Sequence, residues 1–212
     1  MRIVSVDSII LDFPFQYGGG PAGWGPEPWR ALSTLLVRVE TDDGIIGWGE
    51  AFSYSCAASV SAAINEMIAP SVIGRDAADI AGITDHCQRS LHLFGRYGIT
   101  MFAISGLEIA LWDIAGKAAG RPLHALLGGA HRDKIPAYAS LLRYSEPELV
   151  AEHCAGAKAA GYGAVKLHEV TEPAVKAARD ALGDGVPLMI DVNCPWSPTD
   201  ALEMAKIGRA HV

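Results

Sequence analysis

A chain of 212 residues, half of them hydrophobic and 19% charged, is long enough for one large domain or two small ones around a real core. Its net charge of −7, with basic residues scattered rather than clustered, argues against nucleic acid or an anionic membrane surface as the main partner. Cys56, Cys87, Cys154 and Cys194 show neither a CxxC nor metal-ligand spacing, so free thiols in a reducing cytoplasm are expected. The N-terminus lacks a signal peptide's apolar core, and no apolar run is read as approaching the ~20 residues of a membrane span.

The first elements are of mixed α+β order. Residues 3–13 read as a strand. Residues 32–41 and 45–51 read as a hairpin around Asp42-Asp43-Gly44, since Asp-Gly readily adopts the positive φ of a tight turn. Between them, residues 14–29 form a long loop rich in glycine and aromatics, whose length suggests a lid. Helices are predicted over 55–68, 77–93 and 100–119. In the last, Ile104, Leu107, Leu111 and Ala115 recur at the spacing of one apolar face. Gly120 and then Pro122 end that helix, and 123–127 give one more turn. Glu108 and Asp113 are read as hydrogen-bonding within this region rather than as catalytic.

From residue 135 the pattern alternates: strand 135–141, helix 147–160, strand 163–168, helix 171–182, strand 187–192, and a helix from Pro198. Such alternation implies a parallel sheet, doubly wound or barrel-forming. No GxGxxG follows the first strand, so a dinucleotide site is not supported. Two strand ends carry the chemistry. Strand side chains alternate faces, so Lys166 and His168 share one side, and so do Asp191 and Asn193. An ammonium, an imidazole, a carboxylate and an amide are thereby offered at the rim where α/β folds place ligands.

The run Ser105-Gly106-Leu107-Glu108-Ile109-Ala110-Leu111-Trp112-Asp113-Ile114-Ala115-Gly116-Lys117, followed by Gly120-Arg121-Pro122-Leu123 and Leu126-Leu127-Gly128-Gly129, resembles the mandelate racemase/muconate-lactonizing branch of the enolase superfamily. Asp43-Gly44 with Gly47-Trp48-Gly49-Glu50 is similar to that family's N-terminal hairpin. The likeness runs from Ile3 to about Lys206. It implies an α+β capping domain over residues 1–132, then the first part of a (β/α)₇β TIM-like barrel over 133–206. By the same resemblance the reaction is removal of the proton α to a carboxylate, with the enediolate stabilised on Mg²⁺, a use of base and magnesium that the enolase superfamily exemplifies. A base alone would not suffice for so weak an acid; localised positive charge must meet the developing dianion. Asp191 matches the first metal ligand, Asn193 a substrate-contacting position, and Lys166 the first residue of the family's Lys-x-Lys pair, which holds the substrate carboxylate.

His168 departs from that pair, where the second position often carries lysine. Imidazole, with an unperturbed pKa of about 6.5, can act as a base without the depression that lysine requires; the other reading is a hydrogen-bonding residue. A full barrel needs eight strands and about 250 residues, so the chain is expected to be C-terminally truncated, and inactive by itself. Residues 207–212 resemble a translated sequencing-adapter oligonucleotide and are set apart as an expected artefact tail. For the whole protein the expected activity is dehydration of a sugar acid or related hydroxy acid, in a cytoplasmic homo-oligomer acting on a small-molecule carboxylate. A racemase/epimerase or cycloisomerase of the same superfamily is the alternative; a Schiff-base aldolase using Lys166, or a non-catalytic fragment, would be a different class.

Overall fold

In the computed structural model, which describes residues 1–19 and 30–209, three antiparallel strands in the order β1-β2-β3 open the chain. They are β1 (Ile3–Pro14), β2 (Ala31–Thr41) and β3 (Ile46–Ala51). The predicted turn joins β2 to β3: Gly44 takes φ 83°, and the Thr41 hydroxyl donates to Asp43 at 2.6 Å. Most of the loop predicted over 14–29, including Gly20, Trp24 and Trp29, lies outside the described residues, as do Ala210–Val212 of the expected tail.

A helical run, α1, follows as Ala57–Ala62, a π-helical stretch Ala63–Ile68, and Ala69–Val72. It starts later than predicted because Ser55 sits at φ 56°, outside helical geometry. The wider π bonding comes just before Pro70, which has no N–H to continue the α ladder. Next come α2 (Ile80–Ser90), N-capped by Asp79 accepting from the Gly82 N–H at 3.0 Å, and α3 (Ile99–Ala119). Gly120 at φ 60° is the left-handed stop expected for α3. α4 (Leu123–Leu126) gives the extra turn.

α3 corrects one expectation. It is 21 residues long and apolar enough by length and composition to cross a bilayer. Yet Ala103, Ile104, Leu107, Ala110, Leu111 and Ile114 are buried in one core with Leu35, Val37 and Val39 of β2 and Ala51 of β3. It is the central helix of a packed unit made of Met1–Phe15 and Arg30–Asp133. Glu108 and Asp113 serve structure there, as predicted: Glu108 accepts from the Trp112 indole at 3.3 Å, and Asp113 from the Trp48 N–H at 2.8 Å and Lys117 at 2.6 Å.

The second unit holds residues 16–19 and those from Lys134 onward. Its sheet is parallel, in the order β4-β5-β6: β4 (Ala139–Ser140), β5 (Val165–Leu167) and β6 (Leu188–Ile190). Helices α5 (Pro147–Ala159), α6 (Glu172–Leu182) and α7 (Pro198–Arg209) alternate with the strands. β4 is far shorter than the predicted 135–141. Pro136 cannot donate to a ladder, and Ile135 is 82% exposed. Val165 and Leu167 are buried, together with Val150 and Cys154 of α5 and Ala174, Ala178 and Leu182 of α6. The other face of β5 is left for Lys166.

Candidate active site

Alternation works as expected on β5: Lys166 lies half-buried between buried Val165 and Leu167. The parallel register sets it beside Ser140 of β4 and Met189 of β6. His168 and Asp191 each follow the last residue of their strand. The ladder bond from the Asp191 N–H to the Leu167 carbonyl, 2.9 Å, carries Asp191 to the same end of the sheet.

Three of the four predicted side chains converge. Asp191 Oδ2 lies 3.3 Å from Lys166 Nζ and 3.8 Å from His168 Nε2. Asp191 Oδ1 accepts the Asn193 N–H at 3.1 Å. That backbone hydrogen bond, then the Lys166 ammonium, hold the Asp191 carboxyl below the usual carboxylate range. Lys166 also lies over the Tyr138 ring, 5.9 Å from its centre.

The His168 ring has a defined polarity. Its Nδ1 lies 2.5 Å from the Leu141 carbonyl, an acceptor only, so Nδ1 carries a proton and donates it. Nε2 is left facing Asp191, and the Leu141 contact fixes the orientation of the ring.

Asn193 is placed differently from the expectation of a shared strand face. β6 stops at Ile190, and Asn193 and Cys194 adopt φ of 54° and 61°. Asp191 causes the departure, since its carboxylate draws in the Asn193 N–H as an Asx turn does. The Asn193 side chain is exposed beside a cleft of about 490 Å³ that Asp191, Cys194 and Trp196 also line. A larger cleft of about 580 Å³, between Trp48 and Trp112 on the first unit, lies away from this chemistry; its Asp113 and Lys117 are paired with each other.

Two further residues shape the rim and went unread in the sequence. Arg143 donates to the carbonyls of His168 and Val192, and Glu169, 1% exposed, accepts from the backbone N–H groups of Tyr144 and Ser145. Glu169 had a readable signal: alternation puts it on the buried side with Val165 and Leu167, where a carboxylate needs donors.

As a metal centre the cluster is partial. Asp191 offers one hard carboxylate, and among the described residues no group of three His, Cys, Asp or Glu is close enough to hold an ion. Mg²⁺ prefers near-octahedral oxygen ligation. Asp191 fits as a single ligand, and the described residues do not complete the set. The four cysteines are unpaired, and burial pushes the Cys154 thiol up to about 11.

Comparison with known proteins agrees with this architecture. The family model for the mandelate racemase/muconate lactonizing enzyme N-terminal domain matches residues 29–128, and the enolase C-terminal domain-like model matches 149–209. The arabinonate dehydratase of Saccharolobus solfataricus is 32% identical over 184 residues, 82% of this chain and 49% of that protein. The D-galactarolactone cycloisomerase of Agrobacterium fabrum is 32% identical over 179 residues, 80% of this chain and 47% of that protein. A solved member of the enolase superfamily from Polaromonas sp. JS666 shares 34% identity at a TM-score of 0.83, covering 98% of this chain and 56% of that one. The chain thus spans about half the length of the curated relatives it matches. With both domain models matched in order, the chain belongs to the mandelate racemase/muconate lactonizing enzyme branch of the enolase superfamily, as an α+β capping domain followed by part of the enolase-type barrel.

Proposed function

We propose that the whole protein removes the proton α to the carboxylate of a sugar acid or related hydroxy acid and completes a dehydration. The observation that carries the reading is the convergence of Lys166, His168 and Asp191 at one strand-end rim, with the Leu141 carbonyl fixing the His168 tautomer. In this scheme His168 Nε2 takes the α-proton. Lys166 binds the substrate carboxylate, and its fixed charge is in place before the second negative charge develops. Asn193 contacts the substrate from the cleft beside Asp191. The β-hydroxyl then leaves as water, taking up one proton in balance with the α-proton removed, and the enol so formed tautomerises to a 2-keto acid.

Family membership implies a divalent metal. We assign it as Mg²⁺ with Asp191 as one ligand; when bound, it supplies the positive charge that makes an α-proton of a carboxylate acidic enough to remove. Among the described residues Asp191 is the carboxylate that faces Lys166 and His168, while Glu169 is buried and taken up by the Tyr144 and Ser145 N–H groups, so the 212-residue chain by itself is proposed to be inactive. Cytoplasmic location and homo-oligomerisation belong to the same proposal.

A second reading, cycloisomerisation or racemisation, is favoured by the equal likeness to a cycloisomerase. It shares the first proton transfer and differs in where the enediolate goes. A Schiff-base mechanism finds no support: that chemistry needs a desolvated free amine, and Lys166 is engaged with Asp191 at 3.3 Å. Incubating the whole protein with a panel of sugar acids and Mg²⁺ should form a 2-keto product, detected as its semicarbazone, and EDTA should abolish it. EDTA-insensitive turnover, or borohydride trapping of substrate on Lys166, would overturn the proposal.

A further inference from the structure

The last ladder bond between β5 and β6 is the one from the Asp191 N–H to the Leu167 carbonyl. Past it, the carbonyls of His168 and Val192 have no strand partner. Arg143, half-buried in the loop between β4 and α5, spans them: its Nε–H donates to the His168 carbonyl at 2.7 Å and an Nη2–H to the Val192 carbonyl at 3.2 Å. A guanidinium is planar, so two of its N–H groups impose a fixed separation on the acceptors they hold. Those acceptors flank the working pair, one belonging to His168 and the other following Asp191.

A second tie runs the opposite way. Glu169, on β5's side, accepts the Tyr144 N–H at 2.6 Å and the Ser145 N–H at 3.2 Å, and Ser145 is held at φ 68°. The loop's side chain therefore grips the strand-end backbone, while the strand end's side chain grips the loop backbone. Among the described residues Arg143 has no carboxylate within ion-pair distance, so ion pairing does not account for its placement.

We infer that Arg143 is a positioning residue for the rim: it sets the spacing of the β5 and β6 ends, and so the distance of His168 from Asp191 and the contact of the His168 ring with Leu141, while Glu169 anchors the loop from which it acts. The inference rests on reading His168 and Asp191 as the working pair, but its test needs no turnover, so failure of one is distinguishable from failure of the other.

The test uses the full 212-residue chain with ¹⁵N-labelled histidine, the His168 ring signals being assigned by their loss in His168→Gln. The unsubstituted chain is expected to show the Nδ1–H tautomer. Arg143→Met is expected to populate the Nε2–H tautomer and to speed amide exchange at Asp191 about tenfold, with the Val37 and Val39 amides of β2 unchanged. Arg143→Lys, which keeps the charge but not the fork, should show the same ring signature in a folded second unit, and it decides the question if Arg143→Met does not fold. Three results would overturn the inference: unchanged ring signals and Asp191 exchange in Arg143→Met, a uniform rise in exchange across α5 and α6, or full restoration by lysine.

Discussion

Gly49 on β3 lies where α3 comes closest to the sheet, and replacing it with alanine tests the packing of the capping domain directly. A Cβ on Gly49 would stand 2.1 Å from the Gly106 carbonyl oxygen and 2.8 Å from the Ala110 nitrogen. Both obstacles are helix backbone, so no side chain can rotate aside and the helix must retreat by more than an ångström. Retreat is costly because it opens the seam where Gly106 packs against Ala51 and Val37, so closely that there is no room for a methyl. Overpacking of a core costs about 1–3 kcal/mol, and a backbone obstacle puts this site at the upper end. The lost freedom of the unfolded chain returns about 0.4–1 kcal/mol. The net destabilisation is about 2 kcal/mol, which for a domain of this size lowers Tm by about 8 °C. Calorimetry would measure it, with tryptophan fluorescence reporting Trp48 and Trp112 at the same seam. Gly156→Ala is the control: it lies within α5 with open space at its Cβ, and should stabilise by about 0.5–1 kcal/mol. A Gly49→Ala chain that melts at or above the parent temperature would refute the close-packing argument.

Other consequences can be measured separately. In the whole protein, Asp191→Asn should weaken Mg²⁺ binding and remove most activity while the melt of the capping domain stays unchanged, as read by calorimetric metal titration. The depressed Asp191 carboxyl should titrate below its unfolded value of roughly 4, so its contribution is complete above that pH and is lost as pH falls through the lower folded value; carbon NMR of the carboxyl follows it. At about pH 8 exposed Cys194 should react with a disulfide reagent quickly, while buried Cys87 and Cys154, both raised by burial, should react only as the chain unfolds. Met189 and Ile190, 38% and 46% exposed on β6, make an apolar edge. Ile190→Lys should therefore reduce light scattering by the concentrated chain.

Local chemistry was legible in the sequence. The Asp-Asp-Gly turn and the Gly120 stop depend on neighbours within a few residues, and both stand as read. Lys166 was legible for the same reason: period two needs no tertiary information, and the ladder carries it one residue further to His168 and Asp191. The pattern failed where a side chain redirected its own backbone, as Asp191 does in pulling Asn193 out of the extended conformation. It failed again at Pro136, where a missing N–H shortened an apolar run that otherwise reads as strand. Arg143 was out of reach because its acceptors lie 25 and 49 residues away. The length of α3's apolar run was understated because Glu108, Asp113 and Lys117 interrupt it in the sequence, although the helix as a whole is apolar and fills the core.

The claim that His168 is the base is tested most directly by following the substrate α-proton in D₂O. A responsive sugar acid would be incubated with the whole protein and Mg²⁺, and its α-proton signal followed by NMR alongside product formation. The account predicts that His168→Asn abolishes both exchange and product while substrate still binds, and that Lys166→Ala weakens binding as well as exchange. Persistent α-proton exchange in a folded His168→Asn protein would contradict it and move the proton transfer to another residue.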